Sequence, residues 1–221
     1  MAAMFTRHKL VWLSAPGWLA ARAAAAPEHA AALERWQRED WPLVVRRDDP
    51  DLAPDHVCLG LALAPDPVNG NKLRIGLRAH VEHVLRSAPA LPIKAVLACA
   101  PPQWQAGLRA LDAESVGLTL RAYGSLALQA LTGQAYLGPA SDIDLLFYPR
   151  SEQQLHAGLA LLARHAQSLP LDGEIVFPNA QAVAWKEWQA AQAAHARVLV
   201  KERAGVRLLP VNALLATLMA A

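Results

Sequence analysis

Asp142 and Asp144 stand two apart in the segment SDIDLLF, whose Ile, Leu and Phe content marks a β-strand. Residues i and i+2 of a strand project to the same side, so the two carboxylates point together while Ile143 turns to the opposite, apolar layer. Carboxylates held side by side repel unless a cation joins them. Hard oxygen ligands of this kind suit Mg2+, which takes one or two carboxylates together with water and substrate phosphates. Asp-x-Asp alone is a weak signal and more often describes strand-end acids meeting solvent. Upstream, LRAYGSLALQALTG reads as a strand running into Gly124-Ser125 and then a helix. That order sets backbone N–H groups and a helix N-terminus where a triphosphate can dock. Gly124-Ser125 by itself also fits an ordinary strand-to-helix turn with Ser125 as the N-cap.

Strand, Gly-Ser, helix and then an Asp-x-Asp strand is the order of the DNA polymerase β-like nucleotidyltransferases, which this segment resembles. It departs in length: 16 residues lie between Ser125 and Asp142, longer than usual there, so a longer loop through Tyr136-Leu137-Gly138-Pro139 is expected. The resemblance implies a third carboxylate on a neighbouring strand. LDGEIVF offers Asp172 and Glu174, which share a face of a regular strand. Glu174, with the apolar run behind it, is favoured; a solvated hairpin acid is the competing reading for each.

The elements that must position these residues follow from periodicity and punctuation. LVWLS (10–14) reads as a strand, Pro16-Gly17 as a turn, and residues 18–38 as a helix interrupted near Pro27. WPLVVRR (41–47), HVCLGLAL (56–63) and KLRIGLR (72–78) read as strands, with a helix expected over 80–87. A proline-punctuated stretch with Pro89, Pro92, Pro101 and Pro102 places a domain boundary near residue 90. Beyond it come a helix over 104–111, the strand LTLRAYGS, a helix over 126–131, the strand DIDLLFY and a helix over 152–165. LDGEIVF and AVAWKEW around Pro178-Asn179 read as a hairpin; a short helix and the pair VLVK and VRLLP around Gly205 close the chain. The class is α+β: an N-terminal α/β substrate- or prosthetic-group-binding domain (1–90), then a nucleotidyltransferase-like catalytic domain (91–221) with a mixed sheet flanked by helices.

Composition limits the function classes. With 54% hydrophobic and 18% charged residues the chain is not a disordered one, although alanine supplies much of the apolar fraction. A net charge of +2 is too small to imply a nucleic-acid or membrane partner. Arg7, His8 and Lys9 ahead of an apolar stretch ending in ARAAAAP imitate a secretory signal, but Pro16-Gly17 breaks that stretch and Arg22 charges its end. A cytoplasmic location is expected. Cys58 and Cys99 sit in apolar runs and read as reduced thiols. The tryptophans read as core, and His80 and His83 lack a third ligand for zinc.

Read along its whole length, the chain resembles one family more closely. RHKLVWLSAPGW, WPLVVRR, LGLAL, KLRIGL, RAYGSLALQALTGQAYLGPASDIDLL, LDGEIVFP with AVAWKE, and VLVK look like the phosphoribosyl-dephospho-CoA transferases of malonate decarboxylase. The resemblance implies transfer of the prosthetic group from 2'-(5''-triphosphoribosyl)-3'-dephospho-CoA to a serine of the decarboxylase acyl carrier protein, with release of diphosphate. In that reading Asp142 and Asp144 hold Mg2+, and Glu174 or Asp172 positions or deprotonates the serine for in-line attack. Gly124, Ser125, Ser141, Arg46, Arg47, Arg74 and Lys201 fall at positions matching the family's substrate-binding motifs. Arginine forks suit phosphate oxygens, although solvated strand-end charge is the competing reading, above all for Arg74. An ATP-using nucleotidyltransferase acting on a small molecule or protein, and a noncatalytic adaptor docking the carrier protein, are the alternatives.

Overall fold

A computed structural model describes residues 5–191 and 196–219. The chain divides into two compact units, one running to Ala90 and taking in Gln134–Tyr136, the other formed by Leu91–Gly133 and the chain from Leu137 onward. Among the described residues no helix is long and apolar enough to cross a membrane.

The first unit is an antiparallel sheet with helices inserted after its first strand. Strand β1 (Leu10–Leu13) leads into α1 (Ala15–Ala24), a 3-10 turn at Pro27–His29, and α2 (Ala30–Arg38). The proline at position 16 starts this helix; it does not form a separate turn. It falls in the first helical positions, where its missing N–H has no partner to lose, and the Ser14 side chain accepts from Gly17 N–H. Strands β2 (Leu43–Val45), β3 (His56–Ala62), β4 (Arg74–His80) and β5 (Val84–Ala88) complete the order β4-β3-β2-β1-β5. The helix expected over 80–87 is instead a 3-10 turn and β5. Residues 84–88 pair with β1 from Leu13↔Val84 to Leu10↔Ala88, so a long-range ladder overrides the local helical pattern. Trp36 and Leu33 from α2 are buried against Val11, Val57 and Leu59 of the sheet, and the Trp36 indole donates to the Pro42 carbonyl at 3.0 Å. Tyr136 belongs to this unit: it is buried and its hydroxyl donates to the Ala62 carbonyl at 2.7 Å. Part of the unusual length after Ser125 is spent on carrying the chain through this segment.

The second unit contains β6 (Leu91–Pro92), α3 (Ile93–Val96), α4 (Pro102–Glu114), β7 (Leu120–Ala122), α5 (Gly124–Thr132), β8 (Ile143–Phe147) and α6 (Glu152–His165). It ends with β9 (Leu171–Val176), β10 (Ala182–Ala184), α7 (Trp185–Ala190), β11 (Arg197–Lys201), β12 (Val206–Pro210) and α8 (Val211–Met219). Its mixed sheet has the order β12-β11-β10-β9-β8-β7-β6. The β8–β9 pair is parallel, which requires the α6 crossover between them. The expected hairpin around Pro178-Asn179 is present but shorter than AVAWKEW: only Ala182–Ala184 pairs with β9, and Trp185 onward turns into α7, burying Trp185 and Trp188. Ile143, Leu145 and Phe147 of β8 join Leu155, Leu159 and Leu162 of α6 in the core on one face of the sheet. Burial of such apolar surface is the main favourable term of folding.

Removing the largest fully buried side chain of the first unit, Trp36→Ala, is expected to cost about 3–5 kcal/mol. The check is a lowered urea midpoint for that unit's unfolding transition.

Candidate active site

The acidic residues of the second unit are brought together by strand register. Asp144 stands opposite Asp172 in the parallel β8–β9 pair, and Leu146 stands opposite Glu174. Asp142, Asp144, Asp172 and Glu174 therefore belong to one sheet face, while Ile143 is fully buried on the other, as the two-residue alternation requires. Asp142, Asp144 and Asp172 each offer a carboxylate oxygen, and these atoms lie within 4.8 Å of one another. Such a group of hard oxygen donors fits a divalent cation of the Mg2+ type.

Glu174 has a different environment. It is 3% exposed and lies 2.8 Å from the Lys201 ammonium on β11. Burying a carboxylate at this depth is costly unless a partner meets it, and Lys201 is that partner. Thus of the two acids that LDGEIVF offers, Asp172 joins the acidic cluster and Glu174 forms an ion pair. Between them, Gly173 adopts φ +134°, and a Cβ there would come within 1.9 Å of the Leu145 carbonyl oxygen. The backbone of β9 approaches β8 more closely than any side chain would permit.

Gly124 has a comparable role. At φ +67° it opens α5, and a Cβ on it would sit 2.0 Å from Asp144 Oδ2. The Asp144 carboxylate thus packs directly against the start of α5, where partial positive charge gathers. Tyr123 N–H also donates to the Asp144 carbonyl at 3.0 Å. Tyr123, not Ser125, is the N-cap; Ser125 lies inside the first helical turn. Ser141 closes the turn that delivers Asp142, with its hydroxyl accepting from Gly138 N–H at 2.9 Å.

The same sheet face carries groups that motif reading passed over. Arg121 of β7 stands opposite Leu146 and so shares the face of Asp144 and Glu174. Tyr148 lies near both Arg121 and Glu174: burial pushes its phenol above the ordinary range, and the neighbouring Arg121 charge pulls it back. Lys186 of α7 reaches Asp172 at 3.6 Å. Alternation alone could have found Arg121 and Tyr148, two residues before Tyr123 and four after Asp144; Lys186 was hidden because its segment reads as strand.

The remaining expected residues lie in the first unit. Arg47 and Arg74 are exposed, Arg74 at the start of β4. The Arg46 guanidinium lies beside Gly76, a position where a Cβ would sit 3.3 Å from it. It donates to both Asp49 oxygens at 2.5 and 2.8 Å and to the carbonyls of Leu59 and Arg47. Arg78 also binds Asp49, at 2.7 Å, and bridges on to Asp51. Hydrogen bonds from Arg46 first, and Arg78 next, hold the Asp49 carboxyl well below the usual carboxylate range. Arg46 therefore joins β2 to the loop after it, with most of its donors engaged.

Family models match both parts of the chain: "Phosphoribosyl-dephospho-CoA transferase MdcG N-terminal domain" over residues 6–90 and "Phosphoribosyl-dephospho-CoA transferase MdcG C-terminal domain" over residues 90–212. A phosphoribosyl-dephospho-CoA transferase of Xanthomonas campestris pv. campestris (strain 8004) is 42% identical over 216 residues, covering 96% of this chain and 97% of the relative. The chain belongs to the phosphoribosyl-dephospho-CoA transferase family. It is a transferase. Relatives of the same name from Xanthomonas euvesicatoria pv. vesicatoria (strain 85-10) and Bradyrhizobium diazoefficiens are 38% and 36% identical, covering 96% and 82% of this chain and 97% and 80% of the relatives. No solved structure matches.

Within this family member, Gly124→Ala should displace the Asp144 carboxylate by about an ångström and lower transferase turnover about 100-fold. A turnover assay paired with a circular dichroism melt checks it. A second expectation concerns acid. The Asp49 pairing has a folded value below the unfolded one, so its stabilisation is present above the ordinary carboxylate range and is lost as pH falls below about 4. The unfolding midpoint of the native chain should decline more steeply over that interval than that of Asp49→Asn.

Proposed function

We propose that the chain transfers the phosphoribosyl-dephospho-CoA group from 2'-(5''-triphosphoribosyl)-3'-dephospho-CoA to a serine of the acyl carrier protein of malonate decarboxylase. The observation that carries this reading is the gathering of Asp142, Asp144 and Asp172 oxygens within 4.8 Å in a member of this transferase family. In the reaction the serine oxygen bonds to the α-phosphorus, the bond from that phosphorus to its bridging oxygen breaks in line, and diphosphate leaves. Bound by Asp142, Asp144 and Asp172, Mg2+ would neutralise charge on the phosphate oxygens.

The chain's own residues divide the remaining work. Asp172, half-buried and only loosely met by Lys186 at 3.6 Å, is the acid we assign to orient the serine hydroxyl and accept its proton, whereas the Glu174 carboxylate is buried against Lys201 at 2.8 Å. Arg121 and Lys201, on the same sheet face, supply positive charge to the phosphates, and the start of α5 at Gly124-Ser125 supplies backbone N–H groups. Ser141 keeps the turn before Asp142 in shape. The exposed arginines Arg47 and Arg74 offer the first unit a cationic surface for the prosthetic group. We place the reaction in the cytoplasm, a reducing compartment that suits the free thiols Cys58 and Cys99.

The test is incubation with Mg2+, the triphosphoribosyl donor and apo carrier protein, followed by intact-mass measurement of the carrier. A serine adduct of the expected mass is the predicted result; ATP consumption without an adduct would overturn the reading. Asp142→Ala should abolish transfer without lowering the melt, since it relieves like-charge repulsion in the cluster. Asp172→Asn should lower kcat by about 10²–10⁴-fold, and more than Glu174→Gln does.

A further inference from the structure

Beyond Lys201, the β11–β12 hairpin carries an outward apolar face that the proposed phosphate chemistry does not use. Leu199 stands opposite Leu208, and Lys201 opposite Val206. Leu199, Lys201, Val206 and Leu208 therefore share one face of the two strands. Three of them are apolar and yet open to solvent: Leu199 is 40% exposed, Val206 45% and Leu208 51%. β12 is also the end strand of its sheet. An exposed apolar strip on a sheet edge invites association, and such strips on a soluble chain mark interaction surfaces.

Charge and position narrow the partner. Arg197 is exposed on the face of Leu199, and Arg203 lies in the connection between the strands, whereas Arg207 stands opposite Val200 on the other face and pairs with Glu202, and Lys201 pairs with Glu174. A basic rim around an apolar centre selects an acidic protein surface and speeds its encounter. The Lys201 ammonium lies 2.8 Å from Glu174, so the strip is continuous with the face that bears Asp172. Only β10 lies between β11 and β9, a separation of about 10 Å at ordinary strand spacing. A protein seated on the hairpin could extend a serine-bearing loop over that distance.

We propose that the outward face of β11–β12, centred on Leu199, Val206 and Leu208, docks the serine-bearing acceptor protein through an acidic surface of that protein. This rests on the transfer reaction proposed above. Two substitutions outside the transfer machinery test it in the full chain: Leu208→Asp and, at an exposed charge on the same face, Arg197→Glu. KM for the apo carrier protein is measured at saturating donor, and KM for the donor at saturating carrier. Each variant should raise the carrier KM about tenfold or more, with kcat and the donor KM unchanged. Arg197→Glu keeps the test decisive if Leu208→Asp fails to fold. Wild-type carrier KM in the folded variants overturns the docking surface. So does a rise confined to the donor KM, which would give the face to the coenzyme, or a wild-type dimer that Leu208→Asp dissociates, which would give it to a second copy. If the wild-type chain forms no carrier adduct at all, the transfer reading itself falls, and the docking surface with it.

Discussion

Three carboxylates whose oxygens come within 4.8 Å repel one another, and the parallel register of β8 with β9 holds them there. At such separations each like-charged pair opposes folding by on the order of 1–4 kcal/mol between the aqueous and near-surface limits. The opposite face of the same strands offsets that cost, since Ile143, Leu145, Phe147 and Ile175 are packed against the helices. Register cannot slip to relieve the repulsion. A shift of one residue would put the aspartates into the apolar layer and the apolar side chains into solvent.

Around this cluster the protein handles its other charges by pairing them locally. Glu174 is buried against Lys201, and in the first unit Asp49 is shared by Arg46 and Arg78. Lys186 meets Asp172 more loosely, at 3.6 Å. Asp142 is exposed, and Asp144 and Asp172 are half-buried. Two glycines enforce the same economy of space: Gly124 lets Asp144 reach the start of α5, and Gly173 lets β9 close on the Leu145 carbonyl.

The legible parts of the sequence were those in which local pattern and tertiary environment agree. Alternation in SDIDLLF gave the direction of both aspartates, and the helical period gave the helix over 152–165 that is α6. What was not legible depended on distant partners. Residues 80–87 read as helix until β1 is supplied as their neighbour. Glu174 is favoured over Asp172 by the apolar run behind it, but that Asp172 stands opposite Asp144 while Glu174 meets a lysine 27 residues further on is set by strands distant in the chain. Arg46, read as a phosphate ligand, had its competitor three residues away at Asp49, but whether the two side chains meet depends on the loop between them.

The parallel pairing also sets a timetable. Asp142 and Asp144 leave the ribosome before α6, and Asp172 follows after it, because a parallel neighbour cannot be added by a tight hairpin. Contacts between distant parts of a chain close late. During synthesis the nascent protein therefore holds only two of the three clustered aspartates at first, and the cluster is complete only when the crossover helix has docked.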